Sequence, residues 1–332
     1  MNRRETLVTL AGYGLAGTPV STSAQAQEDP ECCPGKCCPA ALVVPFAPGG
    51  AVDIVARILA AELSVRWSQP VMVENVGGAG GLIGTEKVAK STPNGKVLLV
   101  TNDSLPVAAL LRPGQSPNFA DALIPVTQLT ASPYVLLVPA NSPYKTVGDL
   151  VSAIRSGGAG QPTFAHAGSG SNSHLATELF GSAANVQVVS IPYRGSGPAL
   201  ADLQAGKVNA AFTDAASAAS AVDSGRARAL AVTSRERYGP LANVPTMAES
   251  GFRAAETINW VGLFAPRGLA RATVERVGRE AAQAISAPGP SFKLRERGLA
   301  VSTLPPAAFA SFIATDTQAR AAVIRARNIR TE

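Results

Sequence analysis

The stretch ALVVPFAPGGAVDIVARIL (Ala41–Leu59) decides the fold. Leu42 to Phe46 is a short apolar run, the pattern of a strand buried on both faces. Pro45, Pro48, Gly49 and Gly50 then break the run. From Asp53 to Trp67 the apolar residues Ile54, Val55, Ile58, Leu59 and Leu63 recur at helical spacing. A buried strand that passes through a glycine turn into a helix is one half of a β-α-β unit, so the chain is expected to be α/β.

The same alternation extends outward. Strands are expected at Pro70–Glu74, Val97–Thr101, Tyr134–Val138, Thr163–Ala165, Val186–Ser190, Val208–Phe212 and Ala229–Thr233. Helices are expected at Leu82–Lys90, Val147–Arg155, His174–Phe180 and Pro198–Gln204. Such alternation argues for parallel sheets. After the apolar run Trp260–Ala265 the pattern becomes helical, at Ala272–Ile285, Phe292–Arg297 and Ala307–Arg325. There are more strand–helix units than one small sheet needs, and the last helices have no strands of their own to cover. A two-lobed chain accounts for both, with crossings near Gln128–Pro133 and near Thr257. That places one lobe at 41–128 plus 257–332 and the other at 129–256.

The 332-residue chain is 46% hydrophobic, enough to bury a substantial core, yet it has no apolar run of about 18 residues and so no expected membrane-spanning helix. Its start has the layout of an export signal. Arg3 and Arg4 make it positive, Leu7 to Gly17 is a short apolar stretch, and Ala24-Gln25-Ala26 is a small-x-small cleavage site. Residues 1–26 are therefore expected to be removed and the mature chain to start at Gln27 in the periplasm. Arg3-Arg4 leaves a twin-arginine signal open beside the general route. The four cysteines, Cys32, Cys33, Cys37 and Cys38, fall within a linker at 27–40. In an oxidising compartment they suit a disulfide-stapled turn; a soft-metal clip is the alternative reading. No lipobox precedes Cys32. The net charge of +6 comes from basic residues that are scattered, not gathered into a stripe, and aromatic residues are only 5%, which argues against a nucleic-acid partner.

Three loops can carry chemistry. Phe46, Ala47, Gly49 and Gly50 sit between a strand and a helix start, where glycine lets the backbone approach a ligand and free N–H groups favour an anion. Asp53 lies in the first turn of that helix and can complement it. Ala167-Gly168-Ser169-Gly170-Ser171-Asn172-Ser173-His174 joins another strand to another helix and offers Ser169, Gly170, Ser171, Asn172 and His174 as carboxylate partners. The loop after Val186–Ser190 adds Arg194, which faces either a distal carboxylate or solvent. Asp214, after a strand, either meets a ligand or caps the next helix, and His174 is either a ligand contact or a packed cap. Ser104, just past the strand Val97–Thr101, completes the set. The second glycine run, Gly77 to Gly81, lacks the acidic partner of a dinucleotide fingerprint and the Gly-Lys-Ser/Thr of a P-loop. A hydrolase reading fails as well. Gly168-Ser169-Gly170 is not a full nucleophile elbow, and the chain's two histidines, His166 and His174, stand close together. No catalytic activity, no metal and no cofactor are expected.

At these residues the sequence resembles the Bug family, the extracytoplasmic receptors of tripartite tricarboxylate transporters. The resemblance rests on VVPFAPGGAVDIVAR (Val43–Arg57), QPVMVENVGGAGGLIGTEKVAKSTPNG (Gln69–Gly95), GSGSNSHLATELF (Gly168–Phe180), IPYRGSGPALADLQAGKVNAAFTD (Ile191–Asp214), RALAVTSRER with NVPTMAESGF (Arg228–Arg237, Asn243–Phe252) and WVGLFAPRG (Trp260–Gly268). It implies a type II periplasmic-binding-protein fold, a Venus flytrap of two α/β lobes without a cofactor. It also implies a small carboxylate ligand held between the loops Phe46–Asp53 and Ser169–His174, largely by backbone N–H groups, hydroxyls and ordered water. Permease subunits of a tripartite transporter are the implied partners of a monomeric receptor; an orphan receptor that signals is the alternative. The sequence departs from the family at Arg194, where lysine is usual, and at Val76-Gly77, where Arg-Pro is usual. The cysteine cluster replaces an aromatic-rich segment.

Overall fold

The computed structural model describes residues 40–78, 81–111, 119–157, 160–327 and 329. The expected export signal and all four cysteines lie outside the described residues.

The strands are β1 (Ala40–Val44), β2 (Val71–Asn75), β3 (Val97–Asn102), β4 (Leu123–Pro139), β5 (Thr163–His166), β6 (Val189–Pro192), β7 (Ala210–Asp214), β8 (Ala227–Val232), β9 (Ile258–Pro266) and β10 (Val301–Leu304). The helices are α1 (Ala51–Arg66), α2 (Leu82–Ala89), α3 (Ser104–Leu111), α4 (Phe119–Ala122), α5 (Val147–Ser156), α6 (Asn172–Ala183), α7 (Ser196–Gln204), α8 (Ala215–Asp223), α9 (Arg271–Ser286), α10 (Pro288–Arg295) and α11 (Pro306–Ala326).

The long strand β4 belongs to two sheet halves. From Leu123 to Pro133 it pairs antiparallel with β9, and β10 lies against its other edge. From Tyr134 onward it pairs antiparallel with β7 and β8. The first half continues from β9 through β3 to β1 and β2, and the second continues from β7 through β5 to β6. The pairing thus changes partners at Pro133 and Tyr134, beside Ile258 at the start of β9.

Each half is covered on both faces, because successive side chains of its continuous apolar strands point to opposite faces. In the first half, Leu42, Val44, Leu98 and Val100 pack against Val55, Leu59 and Leu63 of α1 and Val277 and Ala281 of α9. The interleaved Val43, Leu99 and Phe264 face Leu82, Leu105, Phe309 and Ile313 on the opposite side. In the second half, Leu136, Phe164 and Phe212 meet α5 and Phe180 of α6. Val135, Ala165 and Ala211 turn to Ala199 and Leu203 of α7 and Ala218 of α8. Truncating a fully buried side chain such as Leu59 to alanine costs about 2–5 kcal/mol.

The structure corrects the sequence reading in five respects. The sheets are mixed, not parallel. Only β1–β2, β1–β3, β5–β6 and β5–β7 run parallel, while every pairing of β4 and β9 is antiparallel. The strand expected at Val186–Ser190 is displaced to Val189–Pro192. Asn185 turns the chain at φ 50° and the Val186 N–H bonds back to the Gly181 carbonyl, so the apolar run first closes α6. The strand expected from Tyr134 starts at Leu123: Pro125 and Pro133 break the apolar run in the sequence, yet both are paired with β9, and the register shifts between Pro125 and Thr127 and between Gln128 and Thr130. The C-terminal region also has a strand of its own, β10, whose four residues are too few to show a period. Helices α3 and α4 were not anticipated.

Candidate functional site

In α/β sheets, ligands gather at the carboxyl ends of parallel strands. The registers show where those ends go. β3 runs toward the start of β9, with Asn102 opposite Val261, and β7 ends with Asp214 opposite Tyr134. Both lie beside the partner change at Pro133 and Ile258. The carboxyl ends of β1, β2 and β3 in one half, and of β5, β6 and β7 in the other, therefore open toward the same junction. The loop Phe46–Gly50 follows β1, the loop Ala167–Ser171 follows β5, Arg194 follows β6, and Asp214 ends β7.

The first loop is a backbone site. Ala47 to Gly50 are exposed, and Gly49 holds φ 90°, a conformation that favours glycine. Gly50 precedes α1 in extended backbone, with no side chain capping the helix. The first N–H groups of this 16-residue helix are thus available to an anion. The loop is held from below. Asp53, only 3% exposed, accepts from the Gly49 N–H at 2.9 Å, from Arg57 Nε at 2.9 Å and from Asn75 Nδ2 at 2.9 Å. Burial opposes ionisation of Asp53, but these donors together hold its carboxyl below the usual range. Asn75 Nδ2 also donates to the Phe46 carbonyl. Helix α2 lies directly behind: a Cβ at Gly84 would come within 2.6 Å of the Val76 carbonyl oxygen and 2.9 Å of Pro45 Cα.

The second loop is held by its own side chains. Ser171 Oγ caps α6 by accepting from the His174 N–H, and Ser173 Oγ accepts from the Ala167 N–H at 3.0 Å. His174 Nδ1 accepts from the Gly170 N–H at 3.1 Å, so the ring is neutral with its proton on Nε2, 3.7 Å from Glu178. The His166 ring stacks on His174 with centroids 4.2 Å apart, and its Nδ1 lies 2.9 Å from the Gly168 carbonyl. Burial lowers both histidines. For His174, burial and then the neighbouring His166 lower the pKa to about 4. The loop also touches its neighbour, since the Tyr193 N–H donates to the His166 carbonyl at 2.9 Å. Arg194 itself is exposed and makes no hydrogen bond or ion pair among the described residues. Asp214 caps α8, accepting from the Ser217 N–H at 2.9 Å and its hydroxyl at 2.8 Å. Ser104 is tied to Asn102, with its hydroxyl 2.6 Å from Oδ1.

One group at the junction was missed by sequence reasoning. Asp103, fully buried at the end of β3, accepts from Asn172 Nδ2 at 2.8 Å and from Arg320 Nη2 at 3.0 Å. Arg320, 3% exposed in α11, also pairs with Asp316 at 2.9 Å. Burial, together with the second carboxylate of Asp316, pushes Asp103 up to about 7, while Arg320 opposes the shift. The guanidinium between two carboxylates stays charged. Asn172 is thereby joined to the opposite half, and no hydrogen bond or ion pair links the first loop to the second directly among the described residues.

Hollows also lie elsewhere among the described residues. One of about 870 Å³ borders the start of α5, with Lys145, Arg228 and Glu249 in its wall. Another of about 580 Å³ runs between Ser234–Pro240 and Ser291–Ser302. Neither is lined by the loop residues. Arg228 is engaged by three backbone carbonyls, Arg237 by Glu249 and Arg235 by Glu256, while Arg295 has Ser291 Oγ at 3.5 Å. No group of three or more potential metal ligands occurs, and no helix is long and apolar enough to cross a membrane, among the described residues.

Comparison with known proteins agrees with this fold. A protein encoded in the tcbD-tcbE intergenic region of Pseudomonas sp. strain P51 is 38% identical over 310 residues, 93% of this chain and 90% of that one. Protein BugT of Bordetella pertussis is 34% identical over 289 residues, 86% of this chain and 88% of its own length. Two solved structures from Rhodopseudomonas palustris share the fold. Rpa4515 with adipate has a TM-score of 0.74 at 29% identity, covering 89% of this chain and 98% of its own. MatC with bound malate has a TM-score of 0.70 at 29% identity, covering 86% and 98%. The model of the tripartite tricarboxylate transporter family receptor matches residues 55–329. The chain belongs to that family of receptors, solute-binding proteins of the periplasm with a two-lobed α/β fold.

Proposed function

We propose that the protein captures a small organic carboxylate between its two lobes and passes it to the permease of a tripartite tricarboxylate transporter. The observation that carries this reading is the convergence of both sets of parallel-strand carboxyl ends on one junction, with an uncapped helix start on one side and a serine-rich helix start on the other. The lobes are taken as 41–128 plus 257–332 and 129–256. One carboxylate lies between the Phe46–Gly50 backbone and Ser169, Gly170 and Ser171. Arg194, unpaired and exposed beside the second loop, meets a second carboxylate of the ligand. Asp53, His174 and Asp214 hold the loops and helix starts that do this. The malate and adipate bound by the two Rhodopseudomonas structures support a dicarboxylate of four to six carbons. Residues 1–26 serve as the export signal, and the receptor carries out no chemistry on its ligand.

A thermal-shift screen of mono-, di- and tricarboxylates against glucose and ATP tests this. At one hundred times its dissociation constant, a bound dicarboxylate adds about 2.7 kcal/mol of stability. A response to glucose or ATP with none to any carboxylate overturns the reading.

A further inference from the structure

We propose that Asp103 and Arg320 are positioning residues that hold the ligand loop of the opposite lobe through the side chain of Asn172. The inference rests on the reading of that loop as a ligand loop. Asn172 is the first residue of α6, directly after the capping Ser171. Its amide is used at both ends, Nδ2 donating to Asp103 Oδ1 at 2.8 Å and Oδ1 accepting from Arg320 Nη1 at 3.3 Å. The amide carries its donor and its acceptor on two different atoms, so it can serve the carboxylate and the guanidinium at once. Both partners are almost fully buried and the Arg320 guanidinium stays charged, so its bond to the amide oxygen is of the stronger, charge-assisted kind.

The other contacts of the pair lie on the strands that pass between the halves. Arg320 Nη2 donates to the Ile258 carbonyl at 3.2 Å, at the start of β9. The Tyr134 hydroxyl lies 3.4 Å from Asp103 Oδ2, at the first β4 residue of the second half. Helix α11 fixes Arg320 from both sides. Phe309 and Ile313 pack beneath the first half, and Val323 and Ile324 pack with Leu175 of α6. The group thus joins the crossing strands to the loop, and a change in the angle between the halves is transmitted to Asn172. A buried carboxylate, a partly buried one and a buried guanidinium are weak providers of stability for their desolvation cost, which leaves placement of Asn172 as their distinctive effect.

A double-mutant cycle separates positioning from direct ligand contact. Asp103→Asn keeps the shape and leaves Arg320 balanced one to one by Asp316; Asn172→Ala truncates a half-buried residue at a helix start. Adipate and malate affinities are measured for each variant and for the pair, and amide exchange across Gly170–Leu175 is followed in ligand-free protein. Each single variant is expected to weaken binding about tenfold, and the pair no more than either, with faster exchange in the loop and unchanged exchange in β1 and β5. Additive losses near a hundredfold would mean that Asn172 touches the ligand itself and overturn the proposal. So would unchanged loop exchange in Asp103→Asn. If wild-type protein binds neither dicarboxylate, the receptor reading is what has failed, and the exchange measurement still decides the role of Asp103.

Discussion

The two loops at the junction are built in opposite ways. Phe46–Gly50 has almost no side chains to offer: its outer residues are exposed, and its one strong polar anchor, Asp53, lies underneath, engaged by Gly49, Arg57 and Asn75. Ser169–His174 is dense with polar side chains, yet most of them point back into the protein. Ser171 caps its own helix, His174 holds Gly170, and Asn172 reaches across to Asp103. The difference teaches that, if both are ligand loops as proposed, neither has many free side chains to offer. In the first, glycine clears the way to the backbone; in the second, side chains are consumed in making the backbone stiff. In the proposed site an anion between them would meet N–H groups whose positions are fixed in advance, which would reduce the ordering cost of binding.

The largest expected effect bears on how the second loop is anchored. Arg320→Leu strips the cation from both Asp103 and Asp316 in a buried site, and a loss of about 3–5 kcal/mol of stability is expected. Urea unfolding followed by circular dichroism measures it; a loss below about 1 kcal/mol would show that the junction does not depend on this pair.

The histidine pair comes next. His174 has its pKa lowered from 6.5 to about 4 in the folded protein. Its contribution is therefore complete above pH 6.5 and is lost as pH falls toward 4. Neutral His174 is what accepts the Gly170 N–H, so protonation also releases the loop. Asp103 runs the other way. Its carboxyl is raised to about 7, so its contribution is complete below its ordinary value and lost as pH rises through 7. Comparison of His174→Asn with wild type isolates the histidine, because asparagine keeps an acceptor and does not titrate. Between pH 7 and pH 4 the wild type should lose about 3 kcal/mol more than the variant. Parallel pH profiles for the two would contradict the assignment.

The smallest effects separate the loops as binding elements. Gly50→Val introduces a branched side chain where an added Cβ meets nothing within 4 Å, and φ −77° accepts it, so the fold should stand. Dicarboxylate affinity should fall at least tenfold, about 1.4 kcal/mol. Ser171→Ala removes one hydroxyl and a helix cap and should cost about 1 kcal/mol of binding. Isothermal titration of both variants decides the order; equal losses would erase the contrast between an open loop and a braced one.

Local pattern carried much of this into the sequence. The strand–turn–helix of Ala40–Arg66 was legible because a double-faced strand and an amphipathic helix each have their own period, and the glycine pair marks the change between them. β10 and the first part of β4 were not, because four residues show no period and prolines break the apolar run. Nor was the Asp103–Arg320 pair, whose partners stand 217 residues apart with no motif between them. One signal was present. Phe309, Ile313, Val323 and Ile324 lie on one face of α11 by spacing, and Arg320 falls on the same face. A charged residue at a core position needs a buried partner, and the aspartate at the end of the apolar strand β3 was the candidate. The side chains of Asp53 and His174 were legible as belonging to the loops. Their inward direction was not, since spacing along a chain does not say whether a cap faces ligand or backbone.

The most direct test of carboxylate capture between the two loops is a crystal structure of the protein with adipate. The expected result is one ligand carboxylate within about 2.7–3.2 Å of N–H or hydroxyl groups from both Phe46–Val52 and Ser169–Ser173, directly or through a single water. Adipate held by one loop alone, or seated in the hollow beside Arg228 or the one beside Arg295, would contradict it.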